Sequence, residues 1–454
     1  MAEIARIPVT GKMGTFSIIW SGQTVSLIGS GLSTYALGIW LFQQTGSITL
    51  YTLVTLCGLL SGFVMFPIVG ILVDRYDRRM IMIYGNIGAT VSTGGLLLLL
   101  MTHHFSYWNI YPITICTSAS TAFLQPTLSA SIALLVPKEK LGSANGLVQL
   151  SMAIAQLSAP LLAGVLIANM PLQGIVMIDL TTFLFALMTI LMVRIPAHRQ
   201  PQKETVRKPS LGQEIRFGWH YLSNRTGLLI LMIFTAITYF LTAIVGALAT
   251  PLVLSFTTAA VLGTMASISG CGMFLGAVTM SIWGGPRHRI YGMFGFLLLC
   301  GFCLMLAGSQ PNIFLITPAA FGILFSIPLI NGSIRTIMQR KVAPEVQGRV
   351  FSLEQLLTGL ATPLGYLIAG PLADRVFDPL LLPGGALASS MGSIIGVGKG
   401  RGIGLLFVIV GAFLILCTIG GYFHPRLRLL ERELPDALPD AVKSERANVG
   451  RGQI

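Results

Sequence analysis

The sequence predicts an all-α integral membrane protein in which twelve transmembrane helices form two pseudo-symmetric halves of six. Three observations support this prediction. Of the 454 residues, 54% are hydrophobic and only 10% are charged, whereas soluble domains carry roughly a quarter charged residues. Apolar stretches long enough to cross a bilayer recur along the whole chain. The second half of the chain also repeats features of the first.

Each of these apolar stretches can cross a hydrocarbon layer of about 30 Å. Lipid offers no partner for free backbone N–H and C=O groups, so each stretch is expected to be helical. The first is too long for the apolar region of a signal peptide and is expected to remain as a span. The predicted spans are 16–42, 47–73, 80–102, 107–136, 141–169, 174–195, 226–255, 259–284, 289–309, 312–341, 347–375 and 402–423.

Basic residues are distributed unequally between the two sides of the predicted membrane. The loops that follow the odd-numbered spans up to the ninth contain no lysine or arginine, whereas the opposite loops are basic. Basic loops are retained on the cytoplasmic side. The chain is therefore expected to be a multi-pass protein of the cell (inner) membrane with both termini in the cytoplasm. The loops without basic residues are 43–46, 103–106, 169–173, 255–258 and 309–312.

A basic polar connector separates the spans six and six, and the stretch Pro137–Gly164 can be aligned with Pro344–Gly370. The long external loop is expected to form a short interfacial helix or to be flexible. The charged tail is expected to be disordered. The predicted order is a cytoplasmic N-terminus (1–15), the N-terminal half (16–195), the linker (196–225), the C-terminal half (226–423, with the external loop at 377–400) and a cytoplasmic tail (424–454).

Composition argues against several functional classes. The net charge of +13 resides in short loops that face lipid headgroups, so no nucleic-acid partner is expected. The six cysteines lie inside predicted spans and suggest neither a disulfide framework nor a metal site. No phosphate-binding loop, HExxH pair or nucleophile triad is evident, so no enzyme, cofactor or metal is expected. The chain is expected to act as a monomer. Its expected partners are membrane lipid, a small amphiphilic substrate and protons as a coupling ion.

The stretch 70–79, GILVDRYDRR, concentrates charges at the end of an apolar segment. It resembles motif A of the major facilitator superfamily, with Asp77 where a small residue is usual. The resemblance implies a reversible cytoplasmic gate, in which the carboxylate accepts hydrogen bonds from the N-terminus of the eleventh span. Alternatively, the arginines act only as topology signals. The residues that match the motif are Gly70, Asp74, Arg75, Arg78 and Arg79.

Three further stretches resemble the drug-efflux branch of that superfamily, which includes macrolide exporters and the enterobactin exporter. They are 22–32 (GQTVSLIGSGL), 331–353 and 384–404, which ends in GVGKGRGIG. Two features depart from the branch. An acidic residue is frequent where Ser30 stands, and the predicted fourth span lacks the arginine that many drug antiporters carry there. Proton coupling through the residues usual in the branch is therefore not indicated by this sequence.

Three charged residues stand out within the predicted spans, namely Asp179, Arg335 and Glu354. A charge at mid-membrane costs roughly 2.5–3.5 kcal/mol on insertion scales, so such residues are functional candidates. If protons drive transport, Glu354 and Asp179 are the carboxylates that can couple to them, with Arg335 as an associated charge. Structural alternatives are open: Asp179 can be hydrated near the outer end of its span, and Arg335 can pair with Glu354 or reach the membrane surface.

A substrate cavity is expected between the two halves near the membrane midplane. An apolar cavity with a few amide groups suits a bulky amphiphilic solute better than a sugar or an ion. Each candidate side chain can instead serve core packing or helix–helix hydrogen bonding. The candidates are Gln23, Ser26, Tyr35, Trp40, Gln125, Gln149, Gln156, Tyr239 and Asn331.

The expected function is a secondary active transporter. It would export a hydrophobic or amphiphilic small molecule, such as a drug, a macrolide or a siderophore-like compound, by alternating access driven by an ion gradient. One alternative is an importer or lipid transporter of the same fold. Another is a membrane receptor or assembly factor that uses a transporter scaffold without transport, because a fold does not dictate a function.

Overall fold

Long helices make up most of the described chain, as the apolar stretches predict. The computed structural model describes residues 13–102, 104–136, 140–193 and 219–434, and no strand occurs in these ranges. The long helices are α1 (Met13–Thr45), α2 (Ile48–Arg75), α3 (Arg78–Met101), α4 (Ile110–Thr121), α5 (Leu124–Leu135), α6 (Leu141–Asn169), α7 (Leu172–Met192), α8 (Thr226–Leu254), α9 (Ala259–Trp283), α10 (Arg289–Ser309), α11 (Ile313–Lys341) and α12 (Pro344–Leu372). A π-helical turn (Ala373–Phe377), α13 (Asp378–Leu381), α14 (Gly392–Ile395), α15 (Arg401–Phe423), α16 (Pro425–Arg428) and α17 (Leu430–Glu433) follow.

Eleven helices in the described ranges are long and apolar enough to cross a membrane, and they correspond to eleven of the twelve predicted spans. The exception is the predicted span 107–136, which consists of α4 and α5. Pro126 lies in the first turn of α5 and has no N–H to donate to the carbonyl of Ala122, the residue that follows the end of α4. The prediction of one continuous helix is therefore wrong at this span.

Contacts between residues group the described chain into two compact units. The first unit contains the residues up to 193 together with Gly246–Gly270 and Tyr366–Ile403. The second contains 219–245, Cys271–Gly365 and the residues from Gly404 onward. One end each of α8, α9 and α12 therefore packs with helices of the first half of the chain. The division into halves at 16–195 and 226–423 stays a prediction.

The first unit is built around α1, which packs against α6 and α7. Glycines on α1 allow this close approach. A Cβ atom added at Gly22 would overlap the side chain of Thr189, and one added at Gly29 would overlap Thr182. Close packing through small residues is how helices associate in lipid, where the hydrophobic effect does not drive their contact. The stretch 22–32 is thus a packing surface.

In the second unit, α10 and α11 pack against each other, and the two short helices α16 and α17 fold against α10. Leu427 and Leu430 are buried, and the Glu431 carboxylate accepts a hydrogen bond of 3.0 Å from the backbone N–H of Arg289 at the start of α10. The expectation of a disordered tail is therefore wrong for its part up to residue 434. Residues 435–454 lie outside the described chain, as do 196–218 of the linker and the whole N-terminal segment 1–12.

The predicted external loop 377–400 is folded. Its backbone closes on itself through a hydrogen bond of 2.9 Å from Gly398 N–H to the Leu381 carbonyl. Gly400 has a positive φ of 77° and packs against Ser255, a position that a side chain would disturb. Arg401 is 5% exposed, and its guanidinium lies 5.6 Å from the centroid of the Phe256 ring. The glycine-rich sequence GVGKGRGIG therefore supports a compact connection.

Candidate functional site

The loop between α2 and α3 is tied to neighbouring helices by the basic pair of the 70–79 motif. Arg78 donates a hydrogen bond of 2.7 Å to the carbonyl of Ala130 on α5. Arg79 donates to the carbonyls of Leu191 (3.0 Å) and Ile190 (3.4 Å) in the last turn of α7. A cation at a helix C-terminus complements the helix dipole. These two arginines therefore position the loop within the first unit.

Asp77, which departs from the family pattern, caps α3. Its carboxylate accepts a hydrogen bond of 2.8 Å from the N–H of Arg79, as the first residue before a helix commonly does. The side chains of Asp74 and Arg75 and the surroundings of Gly70 lie outside the described part of the structure. The gate role of Asp74 stays a prediction.

Asp179 on α7 is a coupling candidate that lies deeply buried in the first unit. Its side chain is 3% exposed, so the hydrated position that the sequence allowed is wrong. The Ser30 hydroxyl on α1 lies 3.5 Å from its Oδ1, and the buried Ser33 hydroxyl adjoins the same carboxyl. A carboxyl in this setting has hydroxyl neighbours that can donate to its charged form or accept from its protonated form.

The close packing of α1 on α7 creates this site. Gly29 faces Thr182, one turn after Asp179, and the Thr182 hydroxyl donates a hydrogen bond of 2.7 Å to the Asp179 carbonyl. Because Gly29 has no side chain, the two helices come near enough for Ser30 to reach the carboxyl. The carboxyl is consequently excluded from lipid and from water at once.

A second polar cluster lies in the second unit, where α8, α11 and α12 meet. The Tyr239 hydroxyl donates a hydrogen bond of 3.3 Å to the amide oxygen of Asn331. Arg335 follows Asn331 by one helical turn, and its guanidinium lies 5.8 Å from the centroid of the Phe351 ring. Glu354 interacts electrostatically with both Arg335 and Tyr239. The structure thus brings together four sequence candidates from three helices.

The exposed side chains of this cluster remain free to meet a ligand. Asn331 and Arg335 are exposed on the same face of α11, while Tyr239 and Glu354 are half-buried. Polar and charged groups on an apolar span are costly unless they line a cavity or pair with each other. Arg335 and Glu354 influence each other electrostatically, and the exposed face of Arg335 leaves it able to contact a solute as well.

The cavity candidates of the first unit fall into separate environments. Gln23 and Ser26 are buried in α1, and the Nε2 atom of Gln23 has no hydrogen-bond partner among the described residues. The Oε1 atom of Gln125 on α5 is likewise buried and unpaired within the described chain. Gln149 and Gln156 are exposed, two turns apart on α6. A buried amide without a partner is costly, so such atoms are places where a polar group of a substrate would be stabilised.

Trp40 and Tyr35 lie towards the other end of α1. Trp40 packs against Phe105 with ring centroids 5.2 Å apart and lines a cavity of about 430 Å³ beside Met170. It is separated from Gln23 by about 25 Å along the helix. Tyr35 is 38% exposed and neighbours Tyr51. The structure therefore does not bring Trp40 to the amide groups with which the sequence grouped it.

Asp374 is a polar centre that no sequence motif indicates. It lies in the π-helical turn after α12, and four groups at the start of α2 hydrogen-bond to its carboxylate. In the sequence it is one of several charges at the end of the predicted eleventh span, where charges are common. Only the folded chain shows that its partners lie in the first half.

Comparison with known proteins identifies the family of this chain. The sequence pattern of the Major Facilitator Superfamily matches residues 19–366. Macrolide efflux protein A of Streptococcus pyogenes is 30% identical over 371 residues, which cover 80% of this chain and 90% of that protein. Macrolide efflux protein A of Enterococcus faecalis is 29% identical over 321 residues, 68% of this chain and 97% of that protein. These relatives confirm the resemblance to the drug-efflux branch.

Solved structures show the same fold. A bacterial homologue of the human lysosomal transporter Spinster superposes with a TM-score of 0.71 at 14% identity, covering 92% of this chain and 98% of that chain. The nucleoside transporter NupG superposes with a TM-score of 0.67 at 11% identity, covering 90% and 98%. The chain therefore belongs to the Major Facilitator Superfamily and is a multi-pass membrane transporter, not an enzyme.

Proposed function

We propose that this transporter exports a hydrophobic or amphiphilic small molecule, such as a macrolide, another drug or a siderophore-like compound, in exchange for protons. The two macrolide efflux proteins named above support the substrate class. The observation that carries the coupling proposal is the carboxyl of Asp179, which is 3% exposed and faces two serine hydroxyls inside the first unit. The transport cycle is alternating access, in which a central site opens to one side of the membrane at a time.

A buried carboxyl suits proton exchange for a physical reason. Its charged form is costly in a low-dielectric environment unless hydrogen bonds or a cation compensate. The neighbours of Asp179 that the structure shows are hydroxyl groups, which stabilise the charge less than a lysine or arginine would. A change in hydration during the cycle therefore changes the protonation of this group. Proton binding and conformation are linked at Asp179 in this way.

The position of Asp179 also accounts for the missing acid on the first helix. The efflux branch frequently has an acidic residue where this chain has Ser30. Here the Ser30 hydroxyl lies 3.5 Å from the Asp179 carboxyl. In this chain α7 therefore supplies a carboxyl close to the position from which α1 supplies it in the efflux branch.

Glu354 is the second coupling candidate, and its environment differs from that of Asp179. It interacts with the charge of Arg335, which compensates its own charge. We assign the cluster of Tyr239, Asn331, Arg335 and Glu354 primarily to substrate binding, because its side chains are exposed or half-buried. The amides of Gln23, Gln125, Gln149 and Gln156 in the first unit are further candidates for polar contacts with an amphiphile.

The remaining expectations form part of the same proposal. Both termini lie in the cytoplasm, because basic residues concentrate on that side. Asp74 gates the cytoplasmic side through the N-terminus of α12, and the chain acts as a monomer surrounded by membrane lipid. No nucleic acid takes part.

Reconstituted protein tests the proposal. Proteoliposomes with an imposed pH gradient should accumulate radiolabelled erythromycin, and an uncoupler should prevent it. Asp179→Asn should abolish accumulation against a gradient while retaining exchange of labelled for unlabelled substrate at equal pH. Asp77→Asn, which keeps the cap of α3, serves as the control and should transport normally. Full gradient-driven transport by Asp179→Asn would remove Asp179 from coupling.

A further inference from the structure

The carboxylate of Asp374 caps a helix that begins 326 residues earlier in the chain. It accepts hydrogen bonds from the backbone N–H groups of Thr49 (2.8 Å) and Ile48 (3.2 Å). It also accepts from the hydroxyls of Thr49 (2.6 Å) and Ser47 (3.1 Å). Four donors at the N-terminus of α2 thus converge on one carboxylate. Charged acceptors at a helix N-terminus benefit from both the free N–H groups and the helix dipole.

The neighbouring turns of α2 and α12 pack closely beside this cap. A Cβ atom added at Gly370 would overlap the hydroxyl of Thr52 and the backbone of Thr49. One turn after Ser47, the Tyr51 side chain neighbours Thr250 on α8 and Tyr366 on α12. The Asp374 cap therefore covers a layer in which α2 meets α8 and α12, all within the first unit.

The position of this contact along α2 gives it a side of the membrane. α2 has 28 residues and spans about 42 Å, which exceeds the hydrocarbon thickness. Its N-terminus carries the Asp374 cap, and its C-terminus leads into the 70–79 loop. The two features consequently lie at opposite membrane faces.

The π-helical turn that holds Asp374 adds to the argument. Such turns are rare and insert an extra residue into a helix, which redirects the side chains that follow. Asp374 lies within this turn, and its side chain is half-buried. It can therefore be hydrated when the helices part, so breaking the contact does not leave a charge stranded in the protein interior.

We propose that Asp374 is a latch that holds the transporter closed at the membrane face opposite the 70–79 loop and is released once in each transport cycle. The latch rests on the alternating access of the proposed function. In this structure the latch is engaged, with α2 and the end of α12 held together by the four hydrogen bonds. Weakening it should favour the state that is open at that face.

Cysteine labelling tests the latch directly. A single cysteine is placed at Thr250, which is 8% exposed beneath the cap, in a variant that lacks the six native cysteines. Its reaction with a membrane-impermeant maleimide is measured in right-side-out and inside-out vesicles. Asp374→Ala should raise the labelling rate from one side roughly five- to thirtyfold, the factor expected for loss of a strong helix cap. Thr49→Val, which removes one donor but keeps the backbone N–H groups, should raise it by less.

Glu431→Ala is the matched control. Glu431 also accepts from two backbone N–H groups at a helix start, those of Arg289 and Ile290, but both partners lie in the second unit. The Glu431 variant should leave labelling at position 250 unchanged. Unchanged labelling in Asp374→Ala would overturn the latch, and Thr49→Val decides the matter if Asp374→Ala does not fold. Erythromycin transport is scored separately, so that a wild type without transport contradicts the proposed export while the labelling still decides the latch.

Discussion

Ser30 on α1 lies 3.5 Å from the carboxyl of Asp179 on α7, although 149 residues separate them in the chain. Related exporters often carry an acidic residue at the position of Ser30. In this chain the acidic residue is Asp179 on α7, and the Ser30 hydroxyl lies beside it. Under the coupling role proposed for Asp179, the location of the carboxyl matters more than the helix that supplies it.

The first prediction exchanges these two positions. Asp179→Asn alone should lose gradient-driven transport of erythromycin in proteoliposomes. Combining it with Ser30→Asp should restore part of that transport, because the carboxyl returns to nearly the same place. Ser30→Ala alone keeps the carboxyl and should retain most activity. A double variant as inactive as Asp179→Asn, yet normally folded, would show that the site needs more than a carboxyl in this place.

The second prediction concerns the packing of α1 on α7. Gly29→Ala adds a methyl group that overlaps the Thr182 side chain, so it should lower Tm in detergent and cost about 1–3 kcal/mol of stability. Adding Thr182→Ala should recover much of the loss. The control is Gly95→Ala on α3, where a Cβ has no neighbour within 4 Å, and it should not lower Tm. Equal Tm values for Gly29→Ala and Gly95→Ala would argue against close packing at this contact.

The third prediction separates the two interpretations of the arginines in the 70–79 motif. Arg79 bonds two carbonyls at the end of α7. Arg79→Lys keeps the charge but cannot reproduce the forked geometry, whereas Arg79→Gln loses the charge as well. Both should lower Tm, Gln by more than Lys. If Arg79 were only a topology signal, Arg79→Lys would match the wild type in Tm and in membrane orientation measured by protease protection.

The fourth prediction concerns the pair Arg335 and Glu354. Arg335→Gln and Glu354→Gln each leave one charge on an apolar span without its neighbour. Each should lower Tm, and the double variant should be more stable than the sum of the single losses predicts. The expected coupling energy in this double-mutant cycle is about 0.5–3 kcal/mol. Strictly additive effects would indicate that the two side chains act independently in the folded protein.

Much of the fold follows from the sequence alone. Apolar stretches bounded by charges located eleven of the membrane helices, with ends that differ from the structure by only a few residues. The reason is that lipid forces each apolar stretch of sufficient length into a helix, which leaves little freedom for alternatives. This reasoning fails near Pro126, because a hydropathy scale contains no information about the N–H that proline lacks. Hydropathy alone therefore predicts α4 and α5 as one span.

Long-range contacts were decided by the tertiary structure. The sequence identified Asp179 as a charge within a span, but its burial and its hydroxyl neighbours depend on how near Gly29 allows α1 to approach α7. Asp374 has no distinguishing sequence context at all, since its partners at residues 47–49 lie hundreds of residues away.

The sequence by itself thus determined the membrane setting, the helices and the family motif, because these depend on local hydropathy, charge and short-range spacing. Only the tertiary structure decided which polar groups meet. Helix packing in lipid depends on small residues and side-chain fit between distant segments, and these establish the Ser30–Asp179 contact, the Arg335–Glu354 interaction and the Asp374 cap on α2.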